Sequence, residues 1–144
     1  VSRPPPYRDA RARATPRKPK VQGESAFSAK LRKALTLQLS GSRWMKMAGN
    51  EFMENGISDL LGCADGRFVA IEVKTNKNWF DPLQVQYLKS IDAAGGVAIG
   101  YLKDGDTHYI IPVTALGQRG NRHRELWVEI DFPSELHKIL WSIE

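Results

Sequence analysis

The stretch Ile57-Ser58-Asp59-Leu60-Leu61-Gly62-Cys63-Ala64-Asp65-Gly66-Arg67-Phe68-Val69-Ala70-Ile71-Glu72-Val73-Lys74 decides the fold. Two β-rich runs, 57–63 and 67–74, flank Asp65-Gly66, a dipeptide that tolerates the positive φ angles of a two-residue hairpin turn. With those two residues as the turn, Ala64 faces Arg67 and, further out, Asp59 faces Glu72. Opposed residues of an antiparallel pair share one face with Cβ atoms about 4.5–5.5 Å apart, and the period of two adds Lys74 to that face. Val69, Ile71 and Val73 take the opposite face, which is therefore the buried one. A bulge near Gly62 would shift the register by one and break the pairing of Asp59 with Glu72, while leaving Glu72 and Lys74 together.

Downstream of the hairpin, 75–80 reads as a loop, and Asp81-Pro82 opens a helix as N-cap and first-turn proline. That helix ends at Gly95-Gly96. The run 97–102 is a wholly apolar strand of the kind buried on both faces, and the strand–helix–strand order makes it parallel to 67–74. Residues 103–106 turn the chain, and 108–113 returns antiparallel. A short edge strand is expected within 126–130. A helix is expected over 133–143, where Leu136, Ile139, Leu140 and Ile143 have helical spacing. Upstream, Phe27, Leu31, Ala34, Leu35 and Leu39 mark an amphipathic helix over 24–39, followed by a short extended segment at 43–47 and an Ala-Gly-Asn loop. Trp44, Trp127 and Trp141 read as core residues. The pattern predicts an α/β domain, a mixed β-sheet flanked by α-helices.

Composition supports one domain: 144 residues, of which 42% are hydrophobic and 26% charged, suit a single core and exclude wholesale disorder. The longest mostly apolar stretch, 95–102, falls far short of the ~20 residues of a membrane span, and no charged-then-apolar leader opens the sequence. The expectation is an intracellular, cytoplasmic protein, in a host cytoplasm if the chain is viral. The single cysteine, Cys63, can form no internal disulfide and suggests no zinc site, so a buried thiol is expected. The net charge of +5 is uneven: residues 1–21 hold seven bases against one acid, and the remainder holds 14 bases against 15 acids. The basic segment also contains five of the eight prolines, which predicts a flexible tail at 1–21 ahead of a domain at 22–144. Such a tail serves either as an electrostatic arm for nucleic acid or as a leader without a specific partner.

Like charges opposed in a sheet repel, and a sequence selected for stability alone avoids them. A divalent cation removes the conflict. Carboxylate oxygens without histidine or cysteine nearby suit Mg²⁺ or Mn²⁺ rather than zinc, and such ions keep waters and bind phosphate oxygens. Phosphodiester hydrolysis is the chemistry that follows: the ion polarises the phosphoryl oxygen and acidifies a water, while Lys74 orients that water or offsets transition-state charge. The same three residues also read as a solvated ion-pair cluster.

Gly56-Ile57-Ser58-Asp59-Leu60, Ile71-Glu72-Val73-Lys74, Pro82-Leu83-Gln84 and Ala94-Gly95-Gly96 together resemble the VRR-NUC (virus-type replication-repair nuclease) branch of the PD-(D/E)xK nuclease superfamily, over roughly residues 24–113. The resemblance implies a restriction-endonuclease-like fold. It also implies that Asp59, Glu72 and the Val73 backbone carbonyl bind metal, that Lys74 is catalytic, that Glu24 is a further acid from the first helix, and that Gln84 lies near the active site. Ser58 stands where the pattern usually has proline, a residue that shapes backbone rather than chemistry. Glu24 is equally at home in a helix's first turn by the macrodipole alone, and Asp81-x-x-Gln84 also fits a capping box.

The resulting expectation is a Mg²⁺- or Mn²⁺-dependent DNA endonuclease, structure-specific in the manner of a Holliday junction resolvase. Two symmetric cuts favour a homodimer. The rivals are a nuclease for linear or single-stranded DNA, acting as nickase, exonuclease or restriction-like enzyme, a non-catalytic nucleic-acid-binding module, and a structural partner whose acids face solvent. Arg119, Arg122, His123 and Arg124 form a basic stretch that either contacts phosphates or is a solvated connection. Trp79 and Phe80 either stack on a base or pack. His108, His123 and His137 are too scattered to suggest a metal cluster or an acid–base pair.

Overall fold

The computed structural model describes residues 22–47, 56–76, 78–117 and 122–141. The proposed tail, the Ala48-Gly49-Asn50 loop, Arg119 and Ile143 lie outside the described residues. Helix α1 (Gln22–Gln38) precedes strands β1 (Arg43–Lys46), β2 (Leu60–Ala64) and β3 (Arg67–Thr75). Helix α2 (Pro82–Ala93), strands β4 (Val97–Asp104) and β5 (Thr107–Pro112), and a short β6 (Val128–Ile130) follow. The strands form a six-stranded sheet in chain order, β1 to β6. Every neighbouring pair is antiparallel except β3 with β4, which α2 joins as a parallel crossover. This is the α/β class that the sequence predicts, a mixed sheet with a helix on each face.

The hairpin follows the two-residue turn. Asp65 (φ 53°) and Gly66 (φ 72°) both have positive φ, as the favoured hairpin turns require. Ala64 pairs with Arg67 and Leu60 with Ile71, so Gly62 introduces no bulge. Glycine is needed there for another reason, because a Cβ would collide with the Trp44 ring and the Arg43 carbonyl of β1.

Alternation along β3 divides the interior. Val69, Ile71 and Val73 join Ile99 and Tyr101 of β4 under Leu31 and Leu35 of α1. Ala70 lies on the other face, with Ala98 and Leu102 of β4 and with Val85 and Leu88 of α2. Apolar burial on both faces of β4 explains its unbroken hydrophobic sequence.

Several sequence expectations are corrected. The segment after Pro133 is not an α-helix: Leu136–Trp141 is a 3-10 helix. The three-residue spacing of Leu136 and Ile139, both buried, matches the 3-10 repeat. Trp141 is not core but 62% exposed, with its ring edge-to-face against His137. Trp127 is half-buried against the α2-side cluster, whereas Trp44 is buried as expected. Cys63 is exposed rather than buried. It lies opposite Phe68 and Arg43 in the sheet, on a face end where Met45 (60%) and Phe68 (42%) are also exposed, and no described helix covers it. Strand β6 is shorter than 126–130 because Arg124–Leu126 forms a 3-10 turn. No helix among the described residues is long and apolar enough to cross a membrane.

Candidate active site

Glu72 and Lys74 stand on the α2 face of β3, and both are buried, Glu72 at 0% exposure. Asp59, 2% exposed, lies one residue before β2 begins. Its backbone carbonyl accepts a hydrogen bond from the Met47 N–H at 2.7 Å, which continues the β1 pairing past the last ladder residue. Its side chain ends the other ladder: Oδ2 accepts from the Val73 N–H at 2.8 Å, the donor that a further β2 carbonyl would otherwise take. A hydrogen bond to a charged group contributes about 1.5–3 kcal/mol, enough to favour the side chain over another rung of sheet. That substitution explains why β2 starts at Leu60 rather than at residue 57.

Gln84 serves both of the roles read from the sequence. Its Oε1 accepts from the Asp81 N–H at 2.9 Å, half of a capping box at the start of α2, while its Nε2 donates to Glu72 Oε2 at 2.9 Å. One amide thus starts the helix and orients a buried carboxylate. The approach of the 56–59 segment to this helix turn depends on Gly56, at φ 80°, where a Cβ would collide with the Leu83 backbone. Ser58 is buried, and its Oγ has no hydrogen-bond partner among the described residues, which fits a position where only backbone shape matters.

Glu24 is buried in the first turn of α1. Its Oε2 accepts from Asn78 Nδ2 at 2.7 Å, which ties α1 to the loop leaving β3. Nothing in the sequence singled out Asn78. Among the described residues, no group of three or more His, Cys, Asp and Glu residues is arranged to hold a metal ion. The buried carboxylates are Asp59, bonded to the Val73 N–H, Glu72, bonded to Gln84, and Glu24, bonded to Asn78. This set of hard oxygens contains no thiolate or imidazole. It fits Mg²⁺ or Mn²⁺, which need only one or two protein carboxylates and complete their shells with water.

His108 belongs to the opposite, α1 side of the sheet, opposite Lys103 in the β4–β5 register. It is buried, its Nδ1 lies 2.8 Å from the Tyr101 hydroxyl, and its ring stacks on Phe132 at 4.7 Å. Burial, then the charges of Lys103 and Lys30, hold its pKa below the ordinary value, with Asp106 opposing. Burial also pushes the Tyr101 phenol upward. This pair is a neutral core contact rather than an acid–base couple. His123 and His137 lie in the 122–141 region, against Glu125 and Trp141 respectively.

The chain matches no family model, and no curated protein matches it. Among solved structures it is similar to Hjc of Archaeoglobus fulgidus, described as a Holliday junction resolvase from an archaeal hyperthermophile. The two share 21% identity with a TM-score of 0.49, over 79% of this chain and 89% of the archaeal one.

Proposed function

We propose that this chain is a Mg²⁺- or Mn²⁺-dependent DNA endonuclease that hydrolyses phosphodiester bonds in branched DNA. The observation that carries the reading is the burial of two carboxylic acids on the β2–β3 edge, Asp59 bonded to the Val73 N–H and Glu72 one residue before that donor, with Lys74 on the same strand face as Glu72. Buried carboxylates are costly, and two of them on one edge add repulsion. The neighbouring positions of the same face hold Ala70 and Leu102, so apolar side chains suit this layer and the acids contribute little to its packing. Strongly desolvated charge clusters of this kind concentrate where chemistry needs them.

In this reading Asp59, Glu72 and the Val73 carbonyl hold the metal. The N–H and C=O of a strand residue point to the same edge, so the Val73 carbonyl faces the edge where Asp59 accepts the Val73 N–H. A bound Mg²⁺ or Mn²⁺ would supply Lewis-acid polarisation of the phosphoryl oxygen and a water of lowered pKa. Lys74 offsets the negative charge that builds on the phosphoryl oxygens. Gln84 fixes the Glu72 carboxylate, and Glu24, held by Asn78, is the further acid from α1. The branched substrate and the homodimer that paired cuts favour rest on the sequence resemblance.

The test is cleavage of a labelled four-way junction and a matched linear duplex in Mg²⁺, Mn²⁺ or EDTA, by wild type and Lys74→Ala. Metal-dependent cutting of the junction alone, lost in the variant, is the expected result. Cutting of both DNAs retains the nuclease and removes the structure preference. Binding without cutting in any metal overturns the enzyme in favour of a non-catalytic nucleic-acid-binding module.

A further inference from the structure

The loop that leaves β3 brings a second constellation next to the acids. Trp79 lies between Asn78, which donates to Glu24, and the Asp81–Gln84 cap that reaches Glu72. The Trp79 ring stacks on Trp127, with centroids 5.5 Å apart and planes inclined by 20°. Each ring carries a guanidinium: Arg122 lies 4.4 Å above Trp79, and Arg124 lies 4.5 Å above Trp127. The indole Nε1 of Trp127 donates to the Arg122 carbonyl at 2.9 Å, fastening the basic segment to its own aromatic base.

The base is rigid. Trp79 meets Phe80 edge-on at 5.0 Å. Phe80 is buried in the α2-side core, in a slot that a Cβ at Gly100 would fill. Trp127 meets Tyr109 of β5 in the same edge-on manner.

A guanidinium laid on a ring uses its flat face, while its N–H donors point outward in its own plane. Neither arginine forms an ion pair among the described residues; the adjacent acid, Glu125, contacts His123 instead. Held over the indoles and without ion pairs among the described residues, both arginines are pre-organised for oxoanions, since less side-chain freedom is lost on binding. The rings that free indoles would offer to bases are covered by the guanidinium groups and by each other.

We infer that Arg122 and Arg124, laid on Trp79 and Trp127, form a phosphate clamp that grips the nucleic-acid backbone beside the Asp59–Glu72 site without reading bases. The inference rests on the nuclease reading for its substrate class, and its test is separable from that reading because binding is measured without metal.

Fluorescence anisotropy of labelled duplexes of unrelated sequence, titrated with the full chain in EDTA across a salt series, gives the slope of log K against log[salt]. Each phosphate contact contributes about 0.9 to that slope on B-form DNA. The Arg122→Gln/Arg124→Gln variant should bind every sequence more weakly, with a slope shallower by about 1.8. The Arg122→Lys/Arg124→Lys variant keeps the charge but not the stacking plane, and should recover the slope while binding less tightly than wild type. An unchanged slope in the Gln variant, a loss confined to one sequence, or wild-type affinity in the Lys variant overturns the clamp. Absence of metal-dependent cleavage by the wild-type chain, with these binding differences intact, instead removes the nuclease reading and leaves the clamp standing.

Discussion

The two faces of β3 are built from alternate residues of one strand and obey opposite rules. Toward α1, Val69, Ile71 and Val73 are fully buried hydrocarbon in a continuous apolar cluster. Toward α2, Ala70 gives way to Glu72 and Lys74, also buried but with polar requirements that only specific partners meet. The first face stabilises the sheet and asks little of its neighbours beyond volume. The second is unfavourable to bury and depends on an amide from α2 and on Asp59, aligned by the β1–β2–β3 pairing.

Substituting across that divide should separate activity from stability most sharply. On the proposed function, Glu72→Gln keeps the shape and should lower metal-dependent cleavage by about 10³-fold, a loss of the order seen when one charge-stabilising group is removed. Its melting temperature should stay at or above that of wild type, because a buried charge has been removed. Ile71→Ala, one residue away, should do the reverse, losing about 2–5 kcal/mol in chemical denaturation through the cavity it opens, with cleavage per folded molecule retained. Equal loss of stability in both variants would show that the acids serve the fold after all.

A smaller effect should come from the link between α2 and the acids. Gln84→Ala removes the partner of Glu72 and half of the cap, and should cost roughly 10–100-fold in metal affinity or turnover, typical of groups that orient a ligand. The missing cap should cost about 1 kcal/mol in stability. Gln84→Glu would sharpen the comparison, since it still accepts from Asp81 but presents a like charge to Glu72 and should restore stability more than activity.

The smallest effect belongs to the α1 side. His108 is depressed below its ordinary pKa of 6.5, so the unfolded chain binds this proton more readily than the folded one. Stability should hold above pH 6.5 and decline as acidification passes below it and through the depressed folded-state pKa. His108→Gln should flatten that part of a pH series of denaturation midpoints, without altering metal-dependent cleavage at neutral pH.

Most of the fold was legible because local chemistry and long-range pairing agreed. Asp65-Gly66 set the hairpin register, Asp81-Pro82 the start of α2, and the unbroken apolar run of β4 its central place beside β3. Counting outward from that turn gave the register as far as Leu60 opposite Ile71, where the ladder stops, one residue short of the expected pairing of Asp59 with Glu72. What could not be counted was the use of a side chain in place of a backbone group, so the early end of β2 at Asp59 was missed. Likewise, Trp127 and Trp141 have no periodicity that separates a core indole from one that carries an arginine or faces water, and Cys63 depended on where a helix stops covering a sheet. The bond from Asn78 to Glu24 spans elements with no shared pattern.

The double use of Gln84 makes the onset of a helix and the assembly of a site one event. Its amide cannot hold Glu72 in this geometry unless the first turn of α2 has formed, and the Asp81 N–H keeps its partner only while that amide is in place. The chain therefore carries a built-in reporter. The exchange of one backbone proton with solvent, at Asp81, follows the opening and closing of the Gln84–Glu72 contact in the absence of any substrate.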